Sequence, residues 1–169
     1  CVDGNMGAVD AVNQMLIQSW GGRIRVFPAC PNHWRDVRFD NLRCEGGVIV
    51  SAVRSDGRTL GVRLASASGG QVRLVNPFDG SGGYRDGESI QPNADGDLIV
   101  DLIAGEDVWL TATADISSAD FDDFVLERPD VLWNPYGLKY FDEGWLTENP
   151  EIPHVHPMFQ FRFGKNTLD

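Results

Sequence analysis

A mainly β fold, an antiparallel β-sandwich or jelly roll preceded by one α-helix, is what this chain of 169 residues predicts. Three observations carry the prediction. Helical periodicity is confined to the first stretch, up to Trp20. From Arg23 onward short runs alternate polar and apolar residues, the pattern of half-buried strands. Glycine-containing turns separate those runs roughly every 8–12 residues, the spacing of sandwiches and jelly rolls.

The helix is marked by Ala8, Val12, Met15 and Ser19, flanked by Val9, Leu16 and Trp20, at i, i+3/i+4 spacing. Asn5 suits its N-cap, since a short polar side chain there accepts an orphan amide of the first turn. Gly21 and Gly22 end it, the first free to take the left-handed C′ conformation. Met15 and Trp20 read as core packing.

Arg23–Phe27 is then expected as a strand, and Pro28–Trp34 as irregular, because Pro28 and Pro31 each remove a backbone donor. Strands follow at Val37–Arg43, Gly47–Arg54, Thr59–Ala67 and Gln71–Val75, with Ser55–Arg58 as a hairpin turn and Ser68–Gly70 as a second tight connection. Residues 76–96 are loop-rich, interrupted by Gly80, Gly82, Gly83, Gly87 and Gly96. Asp97–Ile103 and Val108–Thr113 are expected to form one more hairpin.

From Ile116 the character changes. Residues 116–169 are acidic and interrupted by prolines, yet rich in Phe, Trp and Tyr. A disordered acidic tail would be aromatic-poor, so this extension is expected to pack on the sandwich, with Met158–Phe163 as a final strand. The division is thus 1–22, 23–115 and 116–169.

A formal charge of −11 argues against nucleic acid as a partner, because phosphate binding needs clustered Lys and Arg. No apolar run approaches the length of a membrane span. Cys1, Cys30 and Cys44 are odd in number and match no zinc spacing, so they read as buried or incidental thiols. Neither a metal nor a cofactor is expected.

Asp3-Gly4-Asn5 is the first candidate site. A carboxylate just ahead of a helix N-terminus sits near the positive end of the helix dipole, which keeps it ionised and suits it to act as a base. The plainer reading is a turn or cap. His33 and Trp34 form a second candidate, since an indole bordering a pocket stacks on sugar C–H faces; interdomain packing is the plainer reading there. His154 and His156 face one side of an extended segment, but spacing marks no third ligand. Asn93–Asp97 resembles a calcium loop with its glycine misplaced, and a hairpin turn is the better reading.

Val2-Asp3-Gly4-Asn5-Met6-Gly7, Met15–Trp20, Ile24–Ala29, Pro31–Trp34 and Arg43–Gly47, in that order, resemble the C-terminal part of glycoside hydrolase family 95. The resemblance covers about residues 2–54. It implies α-L-fucosidase or α-L-galactosidase activity, with the chain supplying the last helix of an (α/α)6 barrel and the C-terminal β-domain. It also implies inversion, a carboxylate base activating water while a carboxylic acid protonates the leaving oxygen. Asp3 matches the signature aspartate and takes the base role, with Asn5, His33 and Trp34 as substrate contacts. The signature usually begins Gln-Ile-Asp-Gly-Asn-Phe-Gly, and Cys1, Val2 and Met6 depart from it.

The acid is then expected upstream, outside this chain. The implied partners are a fucosylated oligosaccharide and an upstream catalytic barrel, and the implied location is extracellular or periplasmic. Two other readings stand beside this one: a noncatalytic β-sandwich that binds carbohydrate or braces a neighbour, and a lipid-anchored protein beginning at Cys1. The absence of a polar spacer after Cys1 favours a fragment over the anchor.

Overall fold

The computed structural model describes residues 2–80, 82–117 and 119–122. It is mainly β, with one helix leading into a two-sheet sandwich. The helix, α1, spans Val2–Leu16, and the strands are β1 (Ile17–Trp20), β2 (Arg23–Val26), β3 (Val37–Arg43), β4 (Val48–Ser55), β5 (Arg58–Ser66), β6 (Gly70–Val75), β7 (Gly83–Arg85), β8 (Glu88–Ile90), β9 (Asp97–Leu102) and β10 (Glu106–Thr111). A short helical turn, α2, covers Ala119–Asp122.

The helix runs differently from its sequence pattern at both ends. It starts at Val2, so Asp3 and Asn5 lie within its first turns and Asn5 is not the N-cap. First-turn amides have no intrahelical acceptor anyway, so Gly4 and Asn5 cost little there. At the other end the helix stops at Leu16 and residues 17–20 become a strand. The reason is competition for carbonyls. The Phe27 amide donates to the Leu16 carbonyl at 2.7 Å and the Ala29 amide to that of Met15 at 3.3 Å, taking acceptors that a continuing helix needs. Gly21 and Gly22, at φ +65° and +71°, are therefore the two central residues of a β1–β2 hairpin turn rather than a helix cap.

One sheet has the order β1-β2-β6-β9 and the other β3-β4-β5-β10-β7-β8. Pairing is antiparallel except for β2 with β6, which meet in parallel at Ile24 and Leu74. The first sheet contributes Ile24, Val26, Val72, Leu74, Leu98 and Val100 to one core cluster. The second contributes Val37, Phe39, Val50, Ala52, Val62, Leu64 and Leu110. Val50, Ala52, Val62 and Leu64, at alternate positions of neighbouring strands, are wholly buried. Leu16 and the half-buried Val12 fasten the last turns of the helix to this cluster.

The expected hairpin of β9 with β10 does not form. β9 pairs with β6, whereas β10 pairs with β5 and β7 in the other sheet. The short connection between them thus crosses the sandwich, as does the one between β5 and β6. The two crossings are stitched together: the Gly105 amide donates to the Ser66 carbonyl at 2.9 Å. A Cβ on Gly69 would meet the backbone of Leu102 and Ala104 at 2.8 Å. Within the loop-rich region, β7 and β8 form a short hairpin that glycine interruptions hid.

On the outer face of the second sheet, Val53, Gly61, Thr111 and Tyr84 stand in one row across β4, β5, β10 and β7. Phe121 from α2 is buried over that row and stacks on Trp109, ring centroids 4.3 Å apart. Gly61 makes the room: all three nearest ring carbons would lie under 3.0 Å from a Cβ built there. The Arg38 guanidinium donates to the Phe121 carbonyl at 2.6 Å. The start of the C-terminal extension therefore packs on the sandwich. The rest of that extension, with the expected strand Met158–Phe163, lies outside the described residues.

Candidate functional site

The structure places Asp3 and Asn5 in the first turns of α1, two residues apart along the helix. The helix is held from its far end, so the Asp3 turn is the one remote from the sandwich core. The peptide dipoles of the helix sum to a partial positive charge at this end.

His33 and Trp34 lie in the segment between β2 and β3. Their rings meet edge to face, with centroids 6.3 Å apart. Trp34 is half-buried and packs against the core cluster, and its amide donates to the Pro31 carbonyl at 2.9 Å; His33 is exposed. The Pro31 turn is what lifts the imidazole outward while the indole turns in. In this arrangement Trp34 serves packing, the plainer of the two expectations.

Beneath that segment sits Cys30, whose thiol donates to the Met15 carbonyl at 3.6 Å and so helps cap the helix. Burial pushes the Cys30 thiol above its ordinary range, against a smaller pull downward from the Arg54 guanidinium. Cys44 is likewise raised by burial, partly offset by its hydrogen bond with Ser19. Both are free thiols. A raised thiol is a poor nucleophile at neutral pH, so neither is placed for covalent catalysis.

The Asn93–Asp97 segment proves to be committed to structure. The Asn93 side-chain oxygen accepts the amides of Asp95 and Asp97, both at 2.9 Å. It joins β8 to β9, which lie in different sheets, so it is a crossing turn and not a hairpin. The Asp97 carboxylate is wholly buried and paired with Arg23 from β2 and with Arg73 from β6, the latter at 2.8 Å. Among the described residues no group of three or more His, Cys, Asp or Glu is placed to hold a metal. His154 and His156 lie outside the described residues.

Trp20 corrects the sequence reading most sharply. It is not core: the indole is 58 % exposed at the end of β1, beside a groove of about 320 Å³ between α1, β1 and the end of β3. Asp10, Asn13, Gln14, Ser19 and Arg43 line the same groove. The signal for it was present in part, since Asp10, Asn13 and Gln14 stand at i, i+3 and i+4 and so share a helix face. Nothing local tells that β1 turns back beside that face.

No protein-family model matches this chain, and no curated protein matches it. Among the described residues no helix is long and apolar enough to cross a membrane. The fold thus defines a class, a β-sandwich with an N-terminal helix pinned at its C-terminal turn.

Proposed function

We propose that the chain is the C-terminal part of an inverting glycoside hydrolase similar to family 95, acting on terminal α-L-fucosyl or α-L-galactosyl residues. One observation supports this above others. The Asp3-Gly4-Asn5 motif falls at the start of a helix whose last turn is fastened to a β-sandwich, the order expected where a helical barrel ends and a β-domain begins.

In this reading Asp3 takes a proton from the attacking water as the water's oxygen forms its bond to the anomeric carbon. A carboxylic acid from an upstream barrel protonates the departing glycosidic oxygen. The two carboxyl groups stand about 6.5–9.5 Å apart so that the water fits between them. Asn5 contacts the substrate on the same helix turn, with His33 as a further contact. The substrate is a fucosylated oligosaccharide, and the working location is extracellular or periplasmic.

The test is made in the longer protein carrying the upstream barrel, with 4-nitrophenyl α-L-fucoside and NMR of the product anomer. Asp3→Asn keeps the shape and removes the charge. Turnover should fall about 10²–10⁴-fold, the usual worth of a general base, with an unchanged melting temperature. Glu88→Gln, on the exposed strand β8, should leave turnover intact. Full activity of Asp3→Asn with an inverted product removes Asp3 from the reaction.

A further inference from the structure

We propose that the groove between α1, β1 and the end of β3 is a binding site for a neutral saccharide, separate from any hydrolytic centre at Asp3. Its rim aromatic, Trp20, is exposed yet held. The Arg25 guanidinium lies 4.1 Å from the ring centre and also donates to the Trp20 carbonyl at 3.4 Å, while the indole N–H donates to the Gln18 side chain at 3.4 Å. With one face stacked by Arg25, the immobilised indole offers its other face without paying ordering entropy at the moment of binding.

Around it stand hydrogen-bonding groups that find no partner among the described residues. The side chains of Asp10, Asn13 and Arg43 make no hydrogen bond or ion pair among the described residues. Asn13 and the neighbouring Gln14 each supply a carbonyl and an amide, Asp10 supplies acceptors and Arg43 supplies a planar set of donors. Paired donors and acceptors beside an aromatic plate are what vicinal hydroxyls and an apolar C–H face require. Ser19 is already engaged, its hydroxyl oxygen accepting the Glu45 amide at 3.0 Å, which fixes the floor.

Charge selects the class of ligand. Asp10 and Arg43 cancel within the groove, and the chain as a whole carries −11, so an anionic ligand gains nothing locally and is repelled at range. A purely apolar ligand would strand the polar wall without partners. The volume, about 320 Å³, lies at the small end of ligand pockets, near 300–1,000 Å³, which suits one or two sugar rings.

The experiment titrates the full chain with lactose, maltose, cellobiose and chitobiose, using amide chemical shifts and saturation-transfer NMR. At least one should bind saturably with Kd on the order of 1 mM, shifting amides of residues 10–20 and 43–45. Trp20→Ala should weaken that binding about tenfold or more, and Arg43→Gln or Asn13→Ala about threefold. The exposed Ile103→Ala should bind as the parent does. Lactose 3′-sulfate should bind no tighter than lactose. The proposal falls if none of the four sugars binds saturably, if Trp20→Ala binds unchanged, or if the sulfated sugar is preferred. None of these readouts involves hydrolysis, so Asp3 can fail its test while the groove passes, and the reverse.

Discussion

Asp97 shows how one residue can tie a sheet together. Its carboxylate is wholly buried, which by itself would push its pKa up. The hydrogen bonds and charges of Arg23 and Arg73 outweigh burial, and the carboxyl is held below the usual carboxylate range. Arg23, Arg73 and Asp97 come from β2, β6 and β9, so the cluster spans the parallel pair and its antiparallel neighbour. A depressed folded pKa gives stability that is fully present above the unfolded value of about 3.9 and lost as pH falls through the folded value. Urea unfolding should therefore show stability dropping below about pH 4, more steeply in the parent than in Asp97→Asn. At pH 7 that variant should be less stable by about 2 kcal/mol, less than a fully buried pair because both guanidiniums are partly solvated. A variant with the parent's acid profile would assign the drop to other carboxylates.

At the scale of elements, the seating of α2 on the second sheet depends on the absence of one side chain. Phe121 is held by a stack on Trp109 and by the notch at Gly61, positions contributed by β10 and β5. Gly61→Ala places a methyl inside the ring's van der Waals envelope, so the ring must leave or the strands must part. The outcome expected is release of α2, at about 1–3 kcal/mol, with Trp109 fluorescence shifting red and cleavage between residues 112 and 118 accelerating in limited proteolysis. The change should mimic Phe121→Ala, and combining the two should add little, since both remove one contact. Additive effects would show that Gly61 acts elsewhere than beneath Phe121.

For the whole molecule, α1 stands apart from the two-layer core. Leu16 is buried and Val12 half-buried, whereas Met6, Ala8 and Ala11 are exposed. A helix of 15 residues is marginal in water without packing, so among the described residues its support comes from its last turns. Native-state hydrogen exchange should find amides 2–8 protected far less than those of β4 and β5, whose strands lie between paired neighbours. Protection of residues 2–8 equal to that of β5 in a monomer would mean that something covers the helix, and would count against a helix detached from a barrel.

What the sequence determined by itself is where most of the strands run and where the chain turns. The strands expected at Gly47–Arg54 and Thr59–Ala67 fall within a residue of the observed ends, and Val37–Arg43 was readable to its ends, because a strand's pattern and its bounding turns are local properties of the chain. What tertiary structure alone decided is who lies beside whom. The alternation in β9 and β10 suits a hairpin or a crossing equally well, and only the pairing of β9 with β6 and of β10 with β5 resolved it. The helix pattern through Trp20 was likewise overruled by the segment just after β2, where the Phe27 and Ala29 amides captured the carbonyls of Leu16 and Met15. That same capture exposed Trp20 and turned an apparent core residue into the rim of a groove. Hydrogen-bond partners distant in sequence leave no periodic trace, and both the sheet order and the groove depend on them.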